Sequence, residues 1–277
     1  ARIVLDVHDP MPELYGSKFG LGPHHPVIRA VQWQEHASLR FADHVICTHE
    51  LFRERLVELG VGRERISVVL NVADPSIFGP IGALSDRLDR APLPTIVYHG
   101  TIAERLGLDV ALDAFTRLWQ SNSDLRLRII GTGDFAPTLR ALIDKSPAAQ
   151  AVDFPDRHLP VEQLPDAIGD AAVGLVPNRS DPSTRLMLPV KLLEYAHVGI
   201  PAVAPRLPAI TQYFDETRCG LYQAGDAASL AAALNTMLND SKRAADVRSK
   251  ALAWSGEFAW DRMRHALFEA IDGGDHG

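Results

Sequence analysis

The chain has little cysteine, no long apolar run and no excess of positive charge, and each shortage closes off a class of protein. Only Cys47 and Cys219 occur in 277 residues. They lie far apart with no metal-ligand partner at close spacing, so neither a disulfide framework nor a zinc site is expected. No stretch reaches the run of about 18 apolar residues that marks a membrane-spanning helix. The opening Ala-Arg-Ile-Val-Leu-Asp also lacks the charged, apolar and cleavage regions of a signal peptide, so a cytoplasmic location is expected. A formal net charge of −7 argues against broad nucleic-acid binding, yet leaves room for a local basic pocket that takes a phosphate. With 46% hydrophobic and 23% charged residues, the composition is that of a folded globular protein.

At this length two α/β lobes, or one and a remnant, are the natural expectation. Short β-branched runs alternate with longer helical stretches, the pattern of parallel strands joined by crossover helices. Candidate strands are Arg2 to Val7, His44 to Cys47, Ile66 to Leu70, Thr95 to Tyr98, Leu125 to Ile130, Ala151 to Phe154, Ala172 to Val176 and Pro201 to Ala204. Leu108, Leu112, Phe115 and Trp119 recur at helical steps and read as a core stripe, as do the helices Leu230 to Leu238 and Trp260 to Ile271. Between Asn71 and Pro94 the residues Pro75, Gly79, Pro80, Gly82, Pro92 and Pro94 break any regular pattern and mark a linker. Only about three strands precede it, few for a lobe of roughly 100–150 residues. The expected division is 1–80 for a partial first lobe, 81–255 for a second lobe, and 256–277 for a terminal helix packing back toward the first.

Two strand ends carry glycine. Val97-Tyr98-His99-Gly100-Thr101 is followed by Arg105 and Gly107, and Ile129-Ile130 runs into Gly131-Thr132-Gly133. The crevice outside the carboxyl ends of parallel strands is where ligands favour binding, and glycine lets them approach the backbone. Each signal is weak alone, since a glycine after a strand is most often a plain turn. The GxG lacks the third glycine and the acidic residue of a dinucleotide fingerprint, so no nicotinamide cofactor is expected.

The richest stretch is Arg185 to Pro201. Pro189 suits a helix's first turn, and Lys191 places an ammonium among the unsatisfied N–H groups there, where a diphosphate would dock. Glu194, three residues on, shares the face of Lys191, and its carboxylate can accept both hydroxyls of a ribose. The same spacing describes an ordinary Lys–Glu surface pair, so spacing alone leaves both readings open. Gly199 and Pro201 end the helix and launch a buried strand. Near the start, Asp6-Val7-His8-Asp9 sets a histidine among carboxylates at a strand end; it can orient a reacting hydroxyl, although a plain loop histidine is the commoner meaning. His24-His25 reads as a solvated loop pair.

Together these segments resemble the retaining glycosyltransferases of the GT4-type group, which have the GT-B architecture of two Rossmann-like lobes. The resemblance covers nearly the whole chain. It rests on Asp6-Val7-His8-Asp9 with Pro12-Glu13, Arg40-Phe41-Ala42-Asp43, Asn71-Val72-Ala73-Asp74 with Phe78, Tyr98-His99-Gly100-Thr101 with Arg105 and Gly107-Leu108-Asp109, Ile130-Gly131-Thr132-Gly133, Gly174-Leu175-Val176-Pro177 and Leu188-Pro189-Val190-Lys191-Leu192-Leu193-Glu194-Tyr195. It implies an α/β, GT-B-like fold with parallel sheets and an incomplete N-terminal lobe. It implies transfer of a sugar from a nucleoside diphosphate donor to a carbohydrate or lipid-linked acceptor, with no metal or cofactor and no nucleic acid. A cytoplasmic location follows, with peripheral association at the inner face of the membrane among the expectations.

By position, the resemblance makes His8, Arg105 and Lys191 catalytic, and gives donor binding to Gly100, Thr101, Arg105, Gly131, Gly133, Leu188, Lys191 and Glu194. Three departures stand out: Leu186 replaces a second glutamate, Leu106 replaces a lysine beside Arg105, and the glycine that often follows a phenylalanine near the base pocket is replaced around Asp156. A nucleotide-sugar epimerase and a non-catalytic nucleotide-sugar-binding module are the alternatives.

Overall fold

The computed structural model describes residues 2–87 and 93–273. Of the irregular linker, residues 88–92 with Pro92 lie outside the described residues, as do Ala1 and residues 274–277. Contacts divide the chain into a unit of Ala1–Val72, Asp181–Leu188 and Phe258–Gly277 and a unit of Ala73–Ser180 and Pro189–Glu257. The expected boundaries at 80/81 and 255/256 compare with joins at 72/73 and 257/258, so residues 73–80 group with the second unit rather than the first. The return of residues 181–188 to the first unit carries no local sequence signal.

The first unit runs β1 (Val4–Val7), α1 (Met11–Phe19), α2 (Pro26–Phe41), β2 (His44–Cys47), α3 (Glu50–Glu58) and β3 (Ile66–Val68). Its sheet is parallel in the order β1-β2-β3, with Val7 beside Cys47 and Cys47 beside Val68. α2 begins with Pro26, whose missing N–H is not needed there, and His25 caps it by accepting from the Val27 N–H at 3.2 Å. Val45, Cys47, Phe52, Leu56 and Ile66 form the core beneath. Arg55 of α3 ties the helices together: its guanidinium donates to both carboxylate oxygens of Glu13 on α1 and of Glu35 on α2, at 2.8–3.0 Å.

The second unit runs α4 (Pro75–Phe78), β4 (Thr95–His99), α5 (Leu108–Ser121), β5 (Arg126–Ile130), α6 (Ala136–Lys145), β6 (Val152–Asp153), α7 (Leu164–Ile168), β7 (Val173–Leu175), α8 (Val190–Val198), β8 (Ala202–Pro205), α9 (Pro208–Thr211), β9 (Gly220–Tyr222), α10 (Ala227–Asn239) and α11 (Ser241–Glu257). α12 (Trp260–Asp272) closes the chain in the first unit, against β2 and β3, where Met263 Sδ accepts from the Leu70 N–H at 3.3 Å.

The second sheet is parallel in the order β6-β5-β4-β7-β8-β9. This is the doubly wound order, and it reverses direction between β4 and β7, which opens a crevice at their carboxyl ends. All five residues of β4 are buried, as befits a central parallel strand covered on both faces. Leu108, Leu112 and Phe115 of α5 pack on it with Trp119 half-buried beside them, the stripe read from the sequence. Asp226 caps α10 by accepting from the Ala228 and Ser229 N–H groups. Gly174 lets the ring of Tyr195 lie on β7, since a Cβ there would come within 2.6 Å of it, and Tyr195 OH donates to the Val97 carbonyl at 3.0 Å. That bond staples α8 to β4.

Candidate functional site

The sequence places its candidate chemistry at strand ends and at the start of α8, and the second unit brings these together at the reversal point. α8 begins at Val190, with Pro189 as the residue just before the helix rather than inside its first turn. Among the described residues no side chain caps this terminus, so the partial positive charge of its open N–H groups is available to an anion. Lys191 lies one residue into the helix. Its Nζ sits 4.8 Å from the centroid of the Tyr98 ring, a cation–π contact. Its Cε would stand 3.3 Å from a Cβ on Gly100. Gly100, at φ 120°, therefore leaves both the backbone path and the space that the lysine side chain occupies.

Glu194 faces the same way one turn on, largely buried, with Oε2 3.4 Å from His99 Nε2. Arg105 lies in the short 3-10 turn Glu104–Leu106 after β4, half-buried, with a buried Nε that makes no hydrogen bond. Burial lowers the Lys191 ammonium to about 8, Glu194 countering this and the Arg105 charge adding to it. Burial raises the Glu194 carboxyl to about 7 against the opposing pull of Lys191. His99 is driven down to about 3 by burial and by Lys191, so its ring is neutral at physiological pH. The cluster holds positive charge close together in a half-dry setting, an arrangement that an incoming diphosphate would relieve.

Gly131 and Gly133 have a different immediate cause from ligand approach. A Cβ at Gly131 would stand 1.9 Å from the Gly100 carbonyl oxygen, and one at Gly133 would stand 2.2 Å from that of Ile102. The loops after β4 and β5 are zipped through Gly100 N–H to Ile130 O and Ile102 N–H to Thr132 O. A cavity of about 250 Å³ opens beside them, lined by His99, Gly100, Thr101, Gly131, Thr132 and His158 among others. Thr101 is exposed there, and its carbonyl accepts from Tyr98 OH at 2.6 Å. Asp156 stands at φ 48°, the left-handed backbone that favours glycine, with Oδ1 accepting from Thr132 Oγ1 at 2.9 Å. An aspartate thus occupies a conformation where the resemblance expects glycine.

His8 and Leu188 belong to the first unit. His8 follows β1, exposed, with Nε2 3.0 Å from Asp6 Oδ2, and lines a cavity of about 430 Å³ with Asp9, Tyr15 and Glu35. Leu188 ends the segment that returns to that unit, immediately before Pro189. Three residues in the second unit's cluster escaped the sequence reading as site members: His99, Tyr98 and Tyr195. The motif contained all three, but their side chains are aimed by tertiary packing, with the His99 and Tyr195 rings edge to face at 5.0 Å.

Fold and crevice define an α/β protein with Rossmann-like parallel sheets and an anion-receptive strand-end site. The sequence profile of the glycosyl transferases group 1 family matches residues 93–240, more than half of the chain, and that of the glycosyl transferase 4-like domain matches residues 1–71. The chain belongs to the group 1 glycosyl transferases. WcaL of Escherichia coli K12, provisionally named a colanic acid biosynthesis glycosyltransferase, is 29% identical over 196 residues, covering 69% of this chain and 47% of its own. The amylovoran biosynthesis glycosyltransferase AmsK of Erwinia amylovora is 28% identical over 226 residues, covering 80% and 53%. The chain spans about half the length of the curated relatives it matches. Among solved structures, Anabaena Alr3699/HepE in complex with UDP and glucose superposes with a TM-score of 0.77 at 18% identity, over 99% of this chain and 72% of that one. The fold is that of the GT-B glycosyltransferases.

Proposed function

We propose that the protein transfers a sugar from a nucleoside diphosphate donor to a carbohydrate or lipid-linked acceptor, with retention of configuration. The observation that carries this reading is the convergence of Arg105, Lys191 and Glu194 beside the uncapped start of α8. Lys191 and Arg105 grip the diphosphate and meet the charge that grows as the bond from the sugar's anomeric carbon to the phosphate oxygen breaks. Glu194 accepts the ribose hydroxyls. The acceptor oxygen bonds to the anomeric carbon on the face the phosphate leaves, and its proton passes to the departing phosphate, so no protein nucleophile takes part. The two basic side chains stand in for a metal ion, and the reaction calls on no cofactor.

Gly100, Thr101, Gly131 and Gly133 form the wall against which the nucleotide lies, and Leu188 adds an apolar contact on the donor. His8 orients the acceptor hydroxyl. The protein works in the cytoplasm, peripherally at the inner face of the membrane when the acceptor is lipid-linked. Membership of group 1, and the similarity to WcaL and AmsK, named for colanic acid and amylovoran biosynthesis, support this reading.

Calorimetric titration with UDP, GDP and ADP tests it. One of the three binds, and Lys191→Ala weakens that binding by about 1.5–3 kcal/mol, the range for a charge-assisted contact. Equal affinity in the variant removes Lys191 from the site. Hydrolysis or epimerisation of the donor without any acceptor turns the reading toward an epimerase.

A further inference from the structure

His99 has a place in the donor site that the charges alone do not explain. It is 5% exposed, and its Nε2 is buried with no hydrogen-bond partner among the described residues. A buried polar atom left unmet in a native fold calls for an explanation. Its ring is fixed edge-on by Tyr195, which is itself anchored to the Val97 carbonyl, and it forms part of the cavity wall beside Gly100 and Gly131. Nε2 lies 3.4 Å from Glu194 Oε2, a contact slightly too long for a hydrogen bond and close enough to become one by a small shift of the carboxylate.

The groups around the ring are Glu194, Tyr195 and Lys191 from α8 and Tyr98 from its own strand, with Arg105 near Lys191 and Tyr98. The two neutral hydroxyls among them are already engaged, Tyr98 OH donating to the Thr101 carbonyl and Tyr195 OH to that of Val97. Lys191 supplies its charge but is directed over the Tyr98 ring.

Resting on the nucleotide-sugar reading above, we propose that His99 is a positioning residue for Glu194. Its Nε2–H donates to one carboxylate oxygen when the nucleotide is bound and turns Glu194 toward the ribose hydroxyls, so that the site distinguishes ribose from deoxyribose. A neutral imidazole suits this task because it donates one hydrogen bond without adding a third positive charge beside Lys191 and Arg105. A rigid ring also holds the carboxylate at less conformational cost than a flexible donor would.

The test pairs each nucleoside diphosphate with its 2′-deoxy counterpart, UDP with dUDP, GDP with dGDP and ADP with dADP, titrated into the wild-type chain, His99→Phe and His99→Gln. The wild type loses about 10-fold or more in affinity when the 2′-hydroxyl is absent, the scale of one hydrogen bond to a charged group. His99→Phe keeps the ring packing on Tyr195 but has no donor. It binds the ribose ligand about 10-fold more weakly and brings the two ligands to within about twofold of each other. His99→Gln restores a donor and recovers part of the discrimination.

Full wild-type discrimination in a folded His99→Phe overturns the proposal while leaving the nucleotide reading intact. Absence of binding by all six ligands to the wild type overturns both. If His99→Phe melts below the assay temperature, His99→Asn takes its place, with a donor too short to reach Glu194 and the same expected collapse of discrimination.

Discussion

Two charged clusters, around Arg55 in the first unit and around Lys191 in the second, handle buried charge in opposite ways. In the first, Arg55 is almost enclosed and fully answered, holding two carboxylates in bidentate pairs across three helices. In the second, Lys191, Arg105 and Glu194 gather at a strand end, with burial disfavouring the charged forms of Lys191 and Glu194 and with buried nitrogens on Arg105 and His99 unmet among the described residues. A satisfied network fixes helices in place. An unsatisfied one stores a deficit that a ligand can relieve, and proteins accept such deficits where they bind or react.

The largest effect that would break this contrast concerns Arg55. Arg55→Met leaves Glu13 and Glu35 beside each other without their cation and lowers stability by about 3–5 kcal/mol in urea unfolding, the usual result of removing one partner from a buried pair. Nucleotide affinity of the folded fraction stays unchanged. If that affinity falls instead, the first unit's network belongs to the site after all.

Lys191→Met inverts the pattern. An ammonium held below its ordinary 10.5 disfavours the folded state once the pH drops through about 8. Removing it therefore raises the melting temperature at pH 7 while weakening nucleotide binding by about 1.5–3 kcal/mol, as in Lys191→Ala. A variant that melts lower than the wild type would show that Lys191 is a structural cation like Arg55.

A pH series sharpens the point. Lys191 must be protonated to hold phosphate, so affinity declines as pH rises through about 8. Glu194 must be ionised to accept ribose hydroxyls, so affinity also declines as pH falls through about 7. Binding peaks between these values. In the ligand-free protein the same window is the least favourable for stability, because a carboxyl raised from 4.5 stabilises the fold fully below 4.5 and loses that contribution as pH climbs through about 7. Glu194→Gln should flatten the acid limb beyond what phosphate titration of the ligand accounts for; an unaltered limb assigns it to the ligand. The smallest expected change is in Tyr195→Phe, which removes the hydroxyl donated to Val97 and costs about 1 kcal/mol by thermal denaturation.

The strands at His44–Cys47, Thr95–His99 and Arg126–Ile130 were legible to within a residue, because apolar β-branched runs bounded by turn residues leave little choice of state. β9, Gly220–Tyr222, was not: it spans three residues, opens with glycine and owes its place to pairing with β8. α11 carries charged residues along most of its length, and its buried stripe of Val247, Ala251, Trp254 and Ser255 mixes small, polar and aromatic residues, a faint signal in the sequence. Lys191 and Glu194 were readable as a pair because helical spacing alone puts them on one face. His99 was not readable as their companion, because every position of β4 is buried and alternation cannot say which way its last side chain turns. The glycines at 131 and 133 stand out in the sequence as points of ligand approach, whereas the structure ties them to the close passage of two backbones.

The eight residues Asp181–Leu188 lie in sequence between β7 and α8, yet they pack with the first unit. No single cut of the polypeptide therefore releases either unit whole. A fragment spanning 73–257 would trail a strap stripped of its packing partners, tethered directly ahead of Pro189 and Lys191. Fragment swaps between relatives should exchange this strap together with the first unit, keeping the lysine helix in the other parent.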